Sequence, residues 1–149
     1  MNVAQNVERA AKYFPDKPAV VFEGTSLSYV ELNARVNRLA NTLTEKGVAR
    51  GDRVALYLPN IPAFIISYLA AVRLGAIAVS VNSMLKKDEL QYILTDAGAI
   101  MVFTLATCWE MCPWADARNS KPLWCAKANP EATRLWTSGS IADPKHFQA

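Results

Sequence analysis

Three short apolar runs, beginning at Arg53, Ala76 and Ala99 and so recurring about every 23 residues, constrain this chain more than any other feature. They span Arg53 to Leu58, Ala76 to Val81 and Ala99 to Phe103. Two segments with helical apolar spacing separate them. Pro62 to Leu74 has proline in its first turn, where the missing N–H has no intrahelical partner to lose, and Lys86 to Ala97 stops at Gly98. The interval matches one β-turn-α-turn unit, so the spacing predicts an α/β fold with parallel strands and right-handed helical crossovers. The later two runs carry apolar residues on both faces, which predicts strands covered by helices on each side.

The residues ahead of this repeat have their own signals. Val3, Val7, Ala10, Ala11 and Phe14 recur at helical spacing, and Pro15 closes that helix. Ala19 to Phe22 and Ser26 to Ser28 flank Glu23-Gly24-Thr25, which predicts a short hairpin. Ser28 then caps a helix, with Glu31 placed to complete a capping box. Leu32, Val36, Leu39, Ala40 and Leu43 form one face of that helix, which ends at Gly47.

Composition changes abruptly near residue 104. Residues 1–104 contain no Cys, Trp or His. Cys108, Cys112, Cys125, Trp109, Trp114, Trp124, Trp136 and His146 all lie beyond that point. No apolar period persists there for more than a few residues. The sequence therefore divides into a regular α/β portion, 1–104, and an irregular tail, 105–149. The tail is not expected to pack as a regular element.

Within the first portion a series of ordered motifs resembles a known family. Asp16-Lys17-Pro18-Ala19, Leu27-Ser28-Tyr29-Val30-Glu31-Leu32-Asn33 and Asn37-Arg38-Leu39-Ala40 are similar to the first block of adenylate-forming enzymes. Gly47-Val48, Gly51-Asp52-Arg53-Val54 and Leu58-Pro59-Asn60 continue it in order. Arg73-Leu74-Gly75-Ala76 and Val81-Asn82 resemble the second block, and the opening Asn2 to Val7 is most similar to fatty-acyl-CoA ligases. The resemblance implies the N-terminal part of that fold. It also implies a parent activity: ATP and Mg²⁺ convert a fatty or other carboxylic acid to an acyl-adenylate, and the acyl group passes to coenzyme A. None of the matched positions is catalytic, cofactor-binding or metal-binding in the family. They build scaffold, so no cofactor is expected for this chain.

Adenylation needs a Gly- and Ser/Thr-rich loop with a Lys against the phosphates, carboxylates for ribose and Mg²⁺, and a further Lys from a mobile domain. The family supplies these from several hundred later residues, so the chain is expected to be a truncated, inactive fragment. One string resembles the phosphate loop. In Leu135 to Lys145, Thr137, Ser138, Gly139, Ser140, Pro144 and Lys145 match it. Ile141, Ala142 and His146 stand where the family has Thr and two glycines. A Cβ at such a glycine blocks positive φ and close backbone approach to phosphate.

An out-of-frame tail accounts for the Trp and Cys as well. Shifted by one base, Leu123-Trp124-Cys125 permits Val-Val-Cys, Ala126-Lys127-Ala128-Asn129 permits Glu-Gly-Glu-Pro, and Leu135 to Ser140 permits Leu-Asp-Glu-Trp-Ile. Those strings resemble what the family carries at this distance from its N-terminus. A frameshift, a degenerate phosphate loop and a genuine alternative tail are the three readings of 105–149.

Other functions find little support. A net charge of +3 with scattered Lys and Arg lacks the run of about five or six basic residues that marks nucleic-acid binding. The most apolar stretch, Ala63 to Leu74, is shorter than the roughly 20 residues of a membrane span. No secretory signal opens the chain, which points to the cytoplasm. Cys108, Cys112, Cys125 and His146 fit no common zinc spacing and read as free thiols and a terminal histidine. No G-x-G-x-x-G follows a strand. Lys86-Lys87-Asp88-Glu89 reads as a solvated first helical turn. A non-catalytic interaction module on the same scaffold is the alternative to an enzyme fragment; for the fragment, a sheet cut short of the parent enzyme's later strands is expected to leave an exposed edge and self-associate through it.

Overall fold

A computed structural model describes residues 2–105, 124–128 and 141–142. Helix α1 (Val3–Tyr13) begins where the Asn2 side chain accepts the Ala4 N–H at 3.0 Å and the Gln5 side chain accepts the Asn2 N–H at 3.2 Å. Strands β1 (Pro18–Phe22) and β2 (Thr25–Ser28) pair antiparallel. Their two-residue turn puts both Glu23 (φ 47°) and Gly24 (φ 77°) in the left-handed region, as a type I′ hairpin requires. Helix α2 (Tyr29–Glu45) starts at the expected box: Ser28 N–H donates to Glu31 at 2.8 Å and Glu31 N–H donates to Ser28 Oγ at 3.3 Å.

The repeat follows as β3 (Arg53–Tyr57), α3 (Pro62–Arg73), β4 (Ile77–Ser80), α4 (Lys87–Ala97) and β5 (Ala99–Leu105). Each boundary falls within two residues of the sequence expectation. The three strands are parallel, with β3 between β4 and β5. Two strands lie inside 105–149, where no period was readable: β6 (Trp124–Ala128), parallel to β5, and β7 (Ile141–Ala142), antiparallel to β6. Main-chain pairing holds such a strand whatever its side-chain pattern, and two to five residues are too few to show a period.

Two cores flank the sheet. On one face Val54, Leu56, Met101 and Phe103 pack with Leu32, Val36, Leu39 and Leu43 of α2 and with Ala63, Ile66 and Ala70 of α3. On the other, Ala55, Tyr57 and Val102 pack with Leu90 and Leu94 of α4. Helix α1 joins the first layer through one cation. The Arg73 guanidinium donates to Ala4 O at 3.1 Å, to Asn33 Oδ1 at 3.0 Å, and to Asn37 Oδ1. Burial pulls the Arg73 group below its ordinary value, an effect opposed by Glu8.

One expectation needs correction. Strand β4 is not covered on both faces: Ile77 is 53% exposed and Ser80 is exposed as well. The reason is topological, because β4 forms one edge of the five-stranded sheet and, among the described residues, no strand lies on its outer flank. Expectation holds at Lys86 to Glu89, all four exposed, where Glu89 accepts the Lys86 N–H at 2.9 Å.

The α2 cap makes stability depend on pH. The Ser28 backbone N–H and then its hydroxyl hold the Glu31 carboxyl below its ordinary value of 4.5. A depressed folded value stabilises above the unfolded value and is lost as pH falls through the folded one. Urea midpoints at pH 7 and pH 3 should therefore separate more for the wild type than for Glu31→Gln, which keeps the acceptor but does not titrate. Equal separations would show that Glu31 contributes nothing to acid sensitivity.

Candidate binding cleft at the carboxyl ends of the strands

Parallel strands with crossovers on opposite faces leave a crevice at their carboxyl ends, where α/β proteins commonly bind ligands. Here β3 feeds α3 on one face, and β4 returns through α4 on the other to reach β5. The switch point therefore lies between β3 and β5. A cleft of about 430 Å³ sits beside it, over β3 and β4. Leu58-Pro59-Asn60 after β3, Ser80 to Ser83 at and after β4, and Phe64 from the first turn of α3 line it.

Local chemistry shapes the two loops. Extended backbone at Ile61 and proline at Pro62 start α3 without a side-chain cap. After β4, the Val81 N–H continues the ladder to Leu56 O at 3.1 Å, and Asn82 Oδ1 then accepts the Met84 N–H at 3.0 Å. Tyr57, buried at the end of β3, donates its hydroxyl to Leu85 O at 2.7 Å. That bond ties the β4–α4 loop back to the central strand. Thr104, next to Tyr57 across the β3–β5 ladder, is fully buried, and among the described residues its hydroxyl has no partner; nor has that of Ser67 in α3.

Among the described residues, none lining the cleft carries a charge or titrates near neutrality. Amide and hydroxyl groups can orient a ligand by hydrogen bonds, but they cannot neutralise a phosphate or move a proton at pH 7. Sequence reasoning assigned Leu58-Pro59-Asn60 and Val81-Asn82 to scaffold. The structure brings these two blocks together as opposite walls of the cleft, and the shared signal is an asparagine just past each apolar run.

Of the phosphate-loop string, only Ile141 and Ala142 are described; Thr137 to Ser140, Pro144 and Lys145 lie outside the described residues. Cys108, Cys112 and His146 lie outside them too, and Cys125 falls in β6. Among the described residues no group of three or more His, Cys, Asp or Glu could hold a metal ion, and no helix is long and apolar enough to cross a membrane.

The Tyr57 bond generates a test of the cleft's construction. Tyr57→Phe should cost about 1 kcal/mol of stability, the worth of one hydrogen bond, and leave Leu85 O unsatisfied by that donor. Amide exchange at Ser83 to Leu85 should quicken while β3 stays protected. Unchanged exchange in that loop would show that the hydroxyl does not position it.

The family of AMP-binding enzymes matches residues 7–135. A crotonobetaine/carnitine–CoA ligase of Salmonella paratyphi A is 35% identical over 127 residues, which cover 82% of this chain and 25% of that protein. The long-chain-fatty-acid–CoA ligase FadD13 of Mycobacterium tuberculosis is 38% identical over 103 residues, 68% of this chain and 20% of that one. Among solved structures, a benzoate CoA ligase from Burkholderia xenovorans aligns with a TM-score of 0.78 at 25% identity, covering 89% of this chain and 27% of that chain. The chain thus spans about a quarter of the length of the curated ligases it matches. The ordered motifs, the parallel sheet with its flanking helices and the match over most of the sequence agree: the chain belongs to the AMP-binding enzyme family, as its N-terminal segment.

Proposed function

We propose that this chain is the N-terminal scaffold portion of an ATP-dependent acyl-CoA synthetase and carries no reacting group of its own. The observation that supports this most directly is the cleft: it lies where an α/β enzyme binds ligand, and among the described residues its lining carries no charge. Activating an acid with ATP, Mg²⁺ and coenzyme A needs cations for the phosphates and a carboxylate for the metal. On this reading the chain contributes walls and strand order, with the reacting groups supplied by residues beyond those described. The cytoplasm, where ATP and coenzyme A are plentiful, is the compartment that suits such an enzyme.

The purified chain should then release no acid-dependent pyrophosphate from ATP and form no acyl-CoA, with a fatty, benzoic or carnitine-like acid. Turnover above a heat-killed control would overturn the proposal. The change of composition at residue 104 points, in addition, to an out-of-frame tail within 105–149, and the family match that runs on to residue 135 opposes a break as early as 105. Coding DNA in which a shifted frame continues into a full phosphate loop is the expected finding, and shifted frames that encode no such loop would exclude it.

A second reading, a non-catalytic interaction module, is favoured by the edge at β4. Ala76 to Val81 contains no charge and no proline, the usual protections of an exposed strand edge, and Ile77 is half in solvent. Self-association through that edge should appear as a concentration-dependent sedimentation coefficient that Ile77→Lys abolishes. A wild-type chain that sediments as a monomer at all concentrations would sink it.

A further inference from the structure

The family's use of ATP raises the question of whether the string from Thr137 to Lys145 is this chain's own phosphate loop. We propose that it is not: its middle, Ile141–Ala142, is a strand of the sheet and supplies an edge to β6 rather than part of a cradle for a triphosphate. Three independent observations carry this. The residues that a phosphate cradle would need as Thr and Gly are Ile141 and Ala142. Those same two residues form β7, with Ile141 opposite Ala126 and Ala142 opposite Cys125. The match to the AMP-binding family ends at residue 135, before the string begins.

The physical conflict is between two uses of one backbone. A phosphate cradle turns successive N–H groups toward a single anion, with glycine allowing the positive φ and the close approach. A strand points successive N–H groups to opposite sides, and in an antiparallel pair those facing the partner are already engaged. Residues 141 and 142 cannot satisfy both.

The inference deepens the proposal that the chain lacks reacting groups, but its test is separate. Equilibrium dialysis of the full chain against labelled Mg·ATP should show the same retention for the wild type and for Lys145→Ala. Saturable binding at sub-millimolar ATP that falls about tenfold or more in Lys145→Ala, the loss of one charged phosphate contact, would overturn it. The strand half is read by amide exchange. Replacing both Ile141 and Ala142 by Pro removes their N–H groups, so the amide of Cys125 or Ala126 that faces β7 should exchange faster while β3 is unchanged. Unchanged exchange at both would show that β7 is not seated there. Acyl-CoA turnover that Lys145→Ala leaves intact would sink the scaffold reading and spare this one.

Discussion

Strand β3 is the element on which the rest of the structure depends. It is the one strand of the parallel repeat paired on both sides within that repeat, to β4 through Arg53–Leu56 and to β5 through Arg53–Tyr57. Its side chains alternate between two cores: Val54 and Leu56 enter the layer of α1, α2 and α3, while Ala55 and Tyr57 meet α4. All four are buried to 1% exposure or less. Full burial of a large apolar side chain is worth roughly 1.5–3 kcal/mol, and a domain's net stability is only about 5–15 kcal/mol. Loss of β3's fit would therefore remove both cores and both pairings together. Arg53 extends the same strand's influence by donating to Ala97 O at 3.0 Å and Gly98 O at 2.9 Å, the free carbonyls at the end of α4.

The outer layer depends on a different kind of contact. Helix α1 presents few apolar residues inward, with Ala4 its single buried residue. Arg73 compensates by binding the Ala4 carbonyl and two asparagines of α2 from the end of α3. Asn2 reinforces the joint from the other side by donating to Val72 O. A planar guanidinium with several fixed donors can hold three helices at once, which a Lys in its place could not. Glu8 opposes the lowering that burial imposes, so the cation is retained where it is partly withdrawn from water.

Local signals were readable in the sequence because their causes lie within a few residues. The Ser28–Glu31 box, the proline opening α3, the glycine ending α4 and the turn at Glu23-Gly24 each specify a conformation without reference to the rest of the chain. Strand order has no such signature. Nothing in Ala76–Val81 distinguishes an edge from a centre, since the same apolar run serves either, and the exposure of Ile77 follows only from which strand lies beside it. Strand β6 escaped notice for a related reason, being held by main-chain pairing to Met101–Leu105 without a side-chain period. The cleft was half readable. Asn60 and Asn82 stood in recognised motifs, but 22 positions separate them along the chain, and only parallel adjacency of β3 and β4 makes them walls of one space.

That adjacency also explains why the described lining of the cleft is polar yet uncharged. The two loops that form it emerge from strands buried in the sheet, with apolar Leu58 and Val81 at 4% and 6% exposure anchoring their first residues. An isolated charge set beside such anchors would lose hydration without a partner, at a cost that hydrogen-bonding amides and hydroxyls avoid. Charged groups at this end of the fold stand further out instead, from Lys86 to Glu89 on the solvated first turn of α4. The Tyr57 bond to Leu85 holds the intervening loop against β3, so the cleft's shape is set by neutral groups fixed to the sheet. An anionic ligand seated against such walls would meet amides and hydroxyls first, and any cation facing it would have to stand outside the described lining.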